Sequence, residues 1–172
     1  MEEGGHIRRG DLEGGLGLSE KSIEGIVEIG HKPVVERRAV AEGRLRLQPA
    51  TKTAIVEGSI KKGDVLEAST IAALQAVKDT PRIIPHCHPI PLEGTSVDWR
   101  WEDTHLCCTV EVAAHYKTGI EMEALTGVAA ALLCAFDMVK SLEKDEDGQY
   151  PTALIEGLRV LDKHKGYIAE RQ

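Results

Sequence analysis

Thr118-Gly119-Ile120-Glu121-Met122-Glu123-Ala124-Leu125-Thr126 opens the longest Ala- and Leu-rich run of the chain, and its reading decides the fold. Thr118-Gly119 reads as a turn, residues 120–123 as the entry to a helix, and residues 124–142 as the helix itself. At about 100° per residue, Leu125, Val128, Leu132, Ala135, Phe136, Val139 and Leu142 form one apolar stripe. Asp137 and Lys140 lie off that stripe, three residues apart and so adjacent on the helix surface. Ala130, Leu133 and Cys134 share their face, so the pair is expected to be partly desolvated, with adjustable proton affinities. Two readings stay open here: a catalytic acid/base pair, or an ion pair on an oligomeric interface.

Upstream of the helix the period changes to two. Leu106, Cys108, Val110 and Val112 alternate with Cys107, Thr109 and Glu111, and Val97, Trp99 and Trp101 alternate with Ser96, Asp98 and Arg100, which predicts two strands joined by a turn. Residues 34–47 predict a long strand with a bulge at Gly43. Residues 53–59 predict a short helix capped by Thr51 or Thr53. Asp64, with Glu67 three residues on, caps a second helix whose stripe is Leu66, Ile71, Leu74 and Val77 and which Pro81 ends. Downstream, residues 153–161 predict a last strand interrupted near Gly157. The order β-α-β-β-α-β is that of an α+β ferredoxin-like sandwich, an antiparallel sheet with both helices on one face. Residues 1–29, rich in Gly and Glu, read as an arm without fixed structure or one ordered by a neighbouring subunit. Residues 30–172 read as one domain.

Composition narrows the partners. A net charge of -7 and 3% aromatic residues leave neither the field for a nucleic-acid backbone nor the platforms for base stacking. No apolar run of membrane-spanning length is expected. Cys87, Cys107, Cys108 and Cys134 form no CxxC pair, so reduced thiols and a cytoplasmic setting are expected.

Four groups of residues carry chemistry. His86-Cys87-His88, stiffened by Pro85, Pro89 and Pro91, reads as extended chain with both imidazoles on one side and the thiol on the other. The rings are expected to orient a ligand through their N–H groups. A zinc ion would need a distant carboxylate such as Glu121 or Glu123, and the spacing matches no structural zinc site, so no metal is expected. Glu121 and Glu123 read as helix N-terminal carboxylates favoured by the dipole, or as acceptors for a guanine- or pterin-like edge against which Met122 packs. Of the many lysines, Lys62 beside Gly63 and Lys163 near the end of the chain are best placed for a phosphate. Cys107-Cys108 reads as structural.

These motifs occur in an order that carries a resemblance. Lys62-Gly63-Asp64-Val65-Leu66, Ile84-Pro85-His86-Cys87-His88-Pro89, the 118–126 stretch and Asp137-Met138-Val139-Lys140 together resemble the cyclic pyranopterin monophosphate synthases of molybdenum cofactor biosynthesis, over about residues 27–166. The resemblance implies a ferredoxin-like subunit assembled as a hexamer of three dimers, with sites at subunit interfaces. It implies conversion of 3′,8-cyclised dihydro-GTP into cyclic pyranopterin monophosphate with release of pyrophosphate, and no cofactor. Asp137 matches the family's acid/base group with Lys140 beside it. Lys62 and Lys163 match catalytic or phosphate-binding lysines, and His86, Cys87, His88, Glu121, Met122 and Glu123 match substrate-binding segments. Lys117 stands where some members carry arginine. Two other classes remain: a non-catalytic module binding a nucleotide or pterin phosphate, and a metal-dependent hydrolase built on His86, His88 and a glutamate.

Overall fold

In the computed structural model, which describes residues 25–166, the alternation over residues 34–47 forms strand β1 (Val35–Arg46). Helices α1 (Pro49–Val56) and α2 (Val65–Ile83) follow, then strands β2 (Gly94–Glu102) and β3 (His105–Tyr116), helix α3 (Glu121–Val139) and strand β4 (Leu154–Lys165). The sheet order is β2-β3-β1-β4, with every neighbouring pair antiparallel. This is the expected ferredoxin-like α+β arrangement, with α1 added. Residues 1–24 of the expected arm lie outside the described residues.

The core forms between the sheet and the two long helices. Ala39, Ala41 and Leu45 of β1, with Leu106, Cys108, Val110 and Val112 of β3, meet Ala73 and Val77 of α2 and Ala124, Val128, Ala131, Leu132 and Ala135 of α3. Small side chains let these layers approach closely. Gly43 is one consequence: a Cβ there would stand 2.9 Å from Leu132 Cδ1 and 3.0 Å from Val128 Cγ1. The expected bulge at Gly43 is not in β1, which pairs with β3 in unbroken register through Gly43 and Cys108. The register shifts lie in the pairing with β4, where Leu161 and the Gly157-Leu158 stretch supply the extra residues.

Five local expectations are corrected. Helix α1 begins at Pro49, whose fixed φ suits the first helical position. Thr51 is fully buried rather than capping, and Thr53 Oγ1 donates back to Pro49 O. Pro81 lies within α2 rather than ending it. The Val77 carbonyl, which Pro81 has no N–H to reach, accepts from Thr80 Oγ1 at 3.1 Å, and Ile84 N–H then donates to Thr80 O. The inward face of α2 is Val65, Ser69, Ala73, Ala76, Val77 and Thr80, while Ile71 is exposed, because close packing on α3 selects the small residues. Helix α3 starts earlier and stops three residues sooner than expected, leaving Leu142 exposed. By length and composition α3 would pass for a membrane span, contrary to the expectation that no run would. Half of that stretch is buried in the protein, as suits a core helix.

The predicted capping of α2 is present. Asp64 accepts from Glu67 N–H at 2.8 Å, fixing where the helix starts and hence the Lys61-Lys62-Gly63 turn before it. That turn is closed by Gly63 N–H donating to Ile60 O at 3.0 Å. Glu143, fully buried beyond the end of α3, accepts from Gln48 N–H at 2.9 Å and so ties the start of α1 to the end of α3.

Candidate active site

Helix α3 carries candidate functional side chains at both ends. At its C-terminal end, Asp137 stands between two ammonium groups: Lys140 Nζ donates to Oδ1 at 2.6 Å, and Lys62 Nζ donates to Oδ2 at 2.6 Å and to the Asp137 carbonyl at 2.8 Å. Lys140 is one helical turn on. Lys62 arrives from the turn between α1 and α2, which the Asp64 cap and the Glu143 anchor position. The hydrogen bond from Lys140, then that from Lys62, pull the Asp137 carboxyl down to about 2, and Asp137 in turn raises Lys140. The expectation of a partly desolvated pair is corrected. All three side chains are about half exposed in the protomer, and Leu133 beside them is 60% exposed. The affinity of this carboxyl for protons is set by its two cations, not by burial.

At the N-terminal end of α3 lies a cleft of about 420 Å³ lined by His86, Cys87 and His88, by Thr118, Gly119, Glu121, Met122 and Glu123, and by Val27, Ile29 and Lys32. The substrate-binding candidates therefore share one cleft. Residues 84–87 turn rather than extend, with Cys87 N–H donating to Ile84 O at 3.0 Å, so the thiol faces the same cleft as the imidazoles. Burial, and then the Glu123 carboxylate, push the Cys87 thiol up, which keeps it a neutral side chain rather than a nucleophile at pH 7. The expected ring N–H groups are already engaged: His86 Nδ1 donates to Gly25 O, and His88 Nε2 donates to Val27 O at 2.7 Å.

The two glutamates differ although they are neighbours. Glu123 is 3% exposed, and desolvation, assisted by Glu121 and opposed by its own backbone N–H, raises its carboxyl above the ordinary range. Glu121 also loses solvent. Its own backbone N–H, the ammonium of Lys163 at 3.1 Å and the guanidinium of Arg37 outweigh that loss and hold it below the ordinary range. Lys163, on β4, thus joins the cleft through Glu121 and borders a second, basic hollow with Arg37, Arg38 and Lys165. Cys107 and Cys108 are buried, and burial pushes Cys108 up to about 12, in keeping with a structural pair. Among the described residues no three His, Cys, Asp or Glu side chains converge as a metal ion requires.

The structure brings Lys62, Asp137 and Lys140 together, and gathers His86, Cys87, His88, Glu121, Met122, Glu123 and Lys163 together, but it keeps the two groups apart. Glu123 and Asp137 are fourteen residues apart on one helix, about 21 Å at 1.5 Å per residue. Sequence reasoning missed Val27, Ile29 and Lys32 as cleft walls, and Lys117 as the donor to Gly30 O at 2.9 Å. The apolar pair Ile26-Val27 before Ile29 was the available signal, masked by the glycines around it.

Comparison with known proteins bears on this arrangement. The model of the MoaC family matches residues 26–166. A "Probable cyclic pyranopterin monophosphate synthase" of Thermococcus kodakarensis is 54% identical over 149 residues, 87% of this chain and 95% of the relative. One of the same name from Methanoregula boonei is 57% identical over 141 residues, 82% of this chain and 91% of the relative. A "Probable cyclic pyranopterin monophosphate synthase accessory protein" of Methanothermobacter thermautotrophicus is 50% identical over 146 residues, 85% of this chain and 91% of the relative. The match runs from residue 26, ahead of β1, through both ends of α3 to the Lys163 strand, and on that extent the chain belongs to the MoaC family.

Proposed function

We propose that this protein is a cyclic pyranopterin monophosphate synthase of molybdenum cofactor biosynthesis. It acts as a lyase on 3′,8-cyclised dihydro-GTP, releasing pyrophosphate, in the cytoplasm and as a homohexamer of three dimers. The observation that carries this is Asp137 clamped between Lys62 and Lys140 in a chain that shares half its residues with proteins bearing that name. The reaction reorganises a reduced purine-derived ring system, which needs proton transfers. It then joins a sugar oxygen to the α-phosphorus while the bond to the β-phosphate breaks. That step sheds a hydroxyl proton and places charge on the departing pyrophosphate. Two ammonium groups on one carboxylate suit it: a phosphate oxygen that draws Lys62 or Lys140 away takes up the cation and, in the same movement, raises the proton affinity of Asp137.

The cleft at the other end of α3 suits the ring system, with carboxylates and imidazoles able to accept from ring N–H groups and Met122 to pack on a flat face. Since the two ends are about 21 Å apart, a complete site needs the second end from another subunit. The assay is turnover of the cyclised GTP by purified, exhaustively chelated protein, read as pyrophosphate release. Turnover that survives chelation supports the synthase and removes the metal-dependent hydrolase. The accessory designation of one relative gives the second reading, a binding module without chemistry. Tight substrate binding with no pyrophosphate would establish it.

A further inference from the structure

The short segment of residues 25–30, just ahead of β1, makes more contacts than an arm requires. Two of its backbone carbonyls, Gly25 O and Val27 O, accept from the two imidazoles of the 86–88 loop. Ile29 is 9% exposed. Its carbonyl accepts from Lys32 N–H at 3.1 Å, and the next carbonyl, Gly30 O, accepts from the Lys117 ammonium at 2.9 Å. Val27, Ile29 and Lys32 then form a wall of the cleft.

A carbonyl oxygen can only accept, so the ring nitrogen facing it carries the hydrogen. For His86 that nitrogen is Nδ1 and for His88 it is Nε2. A neutral ring has one hydrogen, so the lone pairs fall on Nε2 of His86 and Nδ1 of His88. An unconstrained neutral histidine in water prefers the hydrogen on Nε2, so His86 is held in its minority form.

We propose that residues 25–30 are a strap that fixes opposite tautomers on His86 and His88 and so makes both rings hydrogen-bond acceptors toward the cleft. Ile29 and Lys117 act as positioning residues that seat the strap. With the Glu121 carboxylate, the wall then offers acceptors to a ligand edge rich in N–H groups, such as a reduced purine or pterin ring, and leaves the phosphates to the cations. The nature of that ligand rests on the function proposed above, whereas the strap and the tautomers do not.

The test uses the full chain with 15N-labelled histidine and no ligand, well above the ordinary imidazole pKa of ~6.5. Long-range 1H–15N correlation then reports which nitrogen of each ring carries hydrogen. The expected pattern is Nδ1–H for His86 and Nε2–H for His88, unchanged by saturating GTP. In Ile29→Asp, His86 should shift to the Nε2–H form while the remaining histidines hold and the chain keeps a cooperative unfolding transition. His86 found as Nε2–H in the native chain overturns the strap whether or not the variant folds. A His86 that Ile29→Asp leaves untouched in a folded chain overturns the seating role. A His86 that changes tautomer on GTP addition shows the strap to be displaced by ligand and overturns the acceptor role. Each of these is read without turnover, so failure of the synthase assay leaves the result standing and the converse holds as well.

Discussion

Replacing Asp137 by Asn is the most informative single change, because the structure fixes what it should and should not do. The carboxyl is held at about 2 by Lys140 and Lys62, so at pH 7 only about one molecule in 10⁵ carries the proton, at tenfold per pH unit. Asp137 of the free protein is therefore charged, and on the mechanism proposed above it becomes a competent base only when a phosphate relieves it of a lysine. Asparagine keeps the volume and one acceptor oxygen but presents no charge to either ammonium and takes no proton. Turnover should fall by about 10²–10⁴-fold, the usual loss for a positioned proton-transfer group. The thermal midpoint should barely move, since the side chains of the triad are about half in solvent. The sign of the pH effect follows as well. A depressed carboxyl contributes stability above its unfolded value near 3.8 and loses it only as pH falls toward 2, so the native chain should show no Asp137-linked change between pH 5 and 8. Lys62→Met, which leaves only Lys140, should move the carboxyl back up toward 3.8. Pyrophosphate release, equilibrium binding and thermal unfolding on one preparation decide the matter. A folded, substrate-binding Asn variant with native turnover would remove Asp137 from the chemistry.

Further outcomes follow from the packing. Gly127→Ala places a Cβ 2.7 Å from Val77 Cγ2 and 3.2 Å from Val110 Cγ1; the ~1 kcal/mol gained in helix propensity should be outweighed by about 1–3 kcal/mol of overpacking, seen as a lower unfolding midpoint. Glu143→Ala removes the acceptor for Gln48 N–H and should cost about 1–3 kcal/mol in denaturant unfolding. Glu123→Gln should stabilise the fold. Burial raises that carboxyl above 4.5, so its ionised form is a cost borne at pH 7 that fades as pH falls through the raised value and is gone once pH is below the unfolded 4.5. Thermal scans at pH 7 and pH 4 should therefore show the gain only at pH 7.

The strands and the central helix were legible because their periods are enforced by a sheet buried on one side and a core packed with small residues. What escaped the sequence depended on three-dimensional neighbours. The face of α2 could not be read from hydrophobicity: Ile71 outranks Ala73 on any scale, yet Ala73 is buried in the core and Ile71 is exposed. Pro81 looked like a helix end because the Thr80 hydroxyl that serves the orphaned Val77 carbonyl is a detail of geometry. The members of the candidate site stood out in the sequence as motifs. Their division between two ends of a 19-residue helix was not, because the order of motifs along a chain says nothing of the distance between them. The expected desolvation of Asp137 rested on apolar neighbours, and in the protomer Leu133 is itself in solvent while Ala130 and Cys134 are only partly buried.

That division bears on assembly, which a mixing experiment tests. If the cleft of one subunit meets the Lys62, Asp137 and Lys140 cluster of its partner, a twofold pairing makes two composite sites, each drawing one end from each chain. The exposed Leu133 and Leu142 near the cluster, and Leu158 and Leu161 on β4, supply apolar surface for such contacts. Asp137→Asn spoils one end and His88→Ala the other, so each homo-oligomer should be nearly inactive. When equal amounts are dissociated and reassembled, about half of the pairs hold one chain of each kind. In such a pair one site joins two damaged ends and the other joins two intact ones, so about a quarter of all sites, and of native turnover, should return. Scattering on the same samples should show no monomer at working concentration. If each subunit instead closed its own site across the 21 Å, no pairing would place an intact cleft with an intact cluster, and activity would stay at the level of the separate variants.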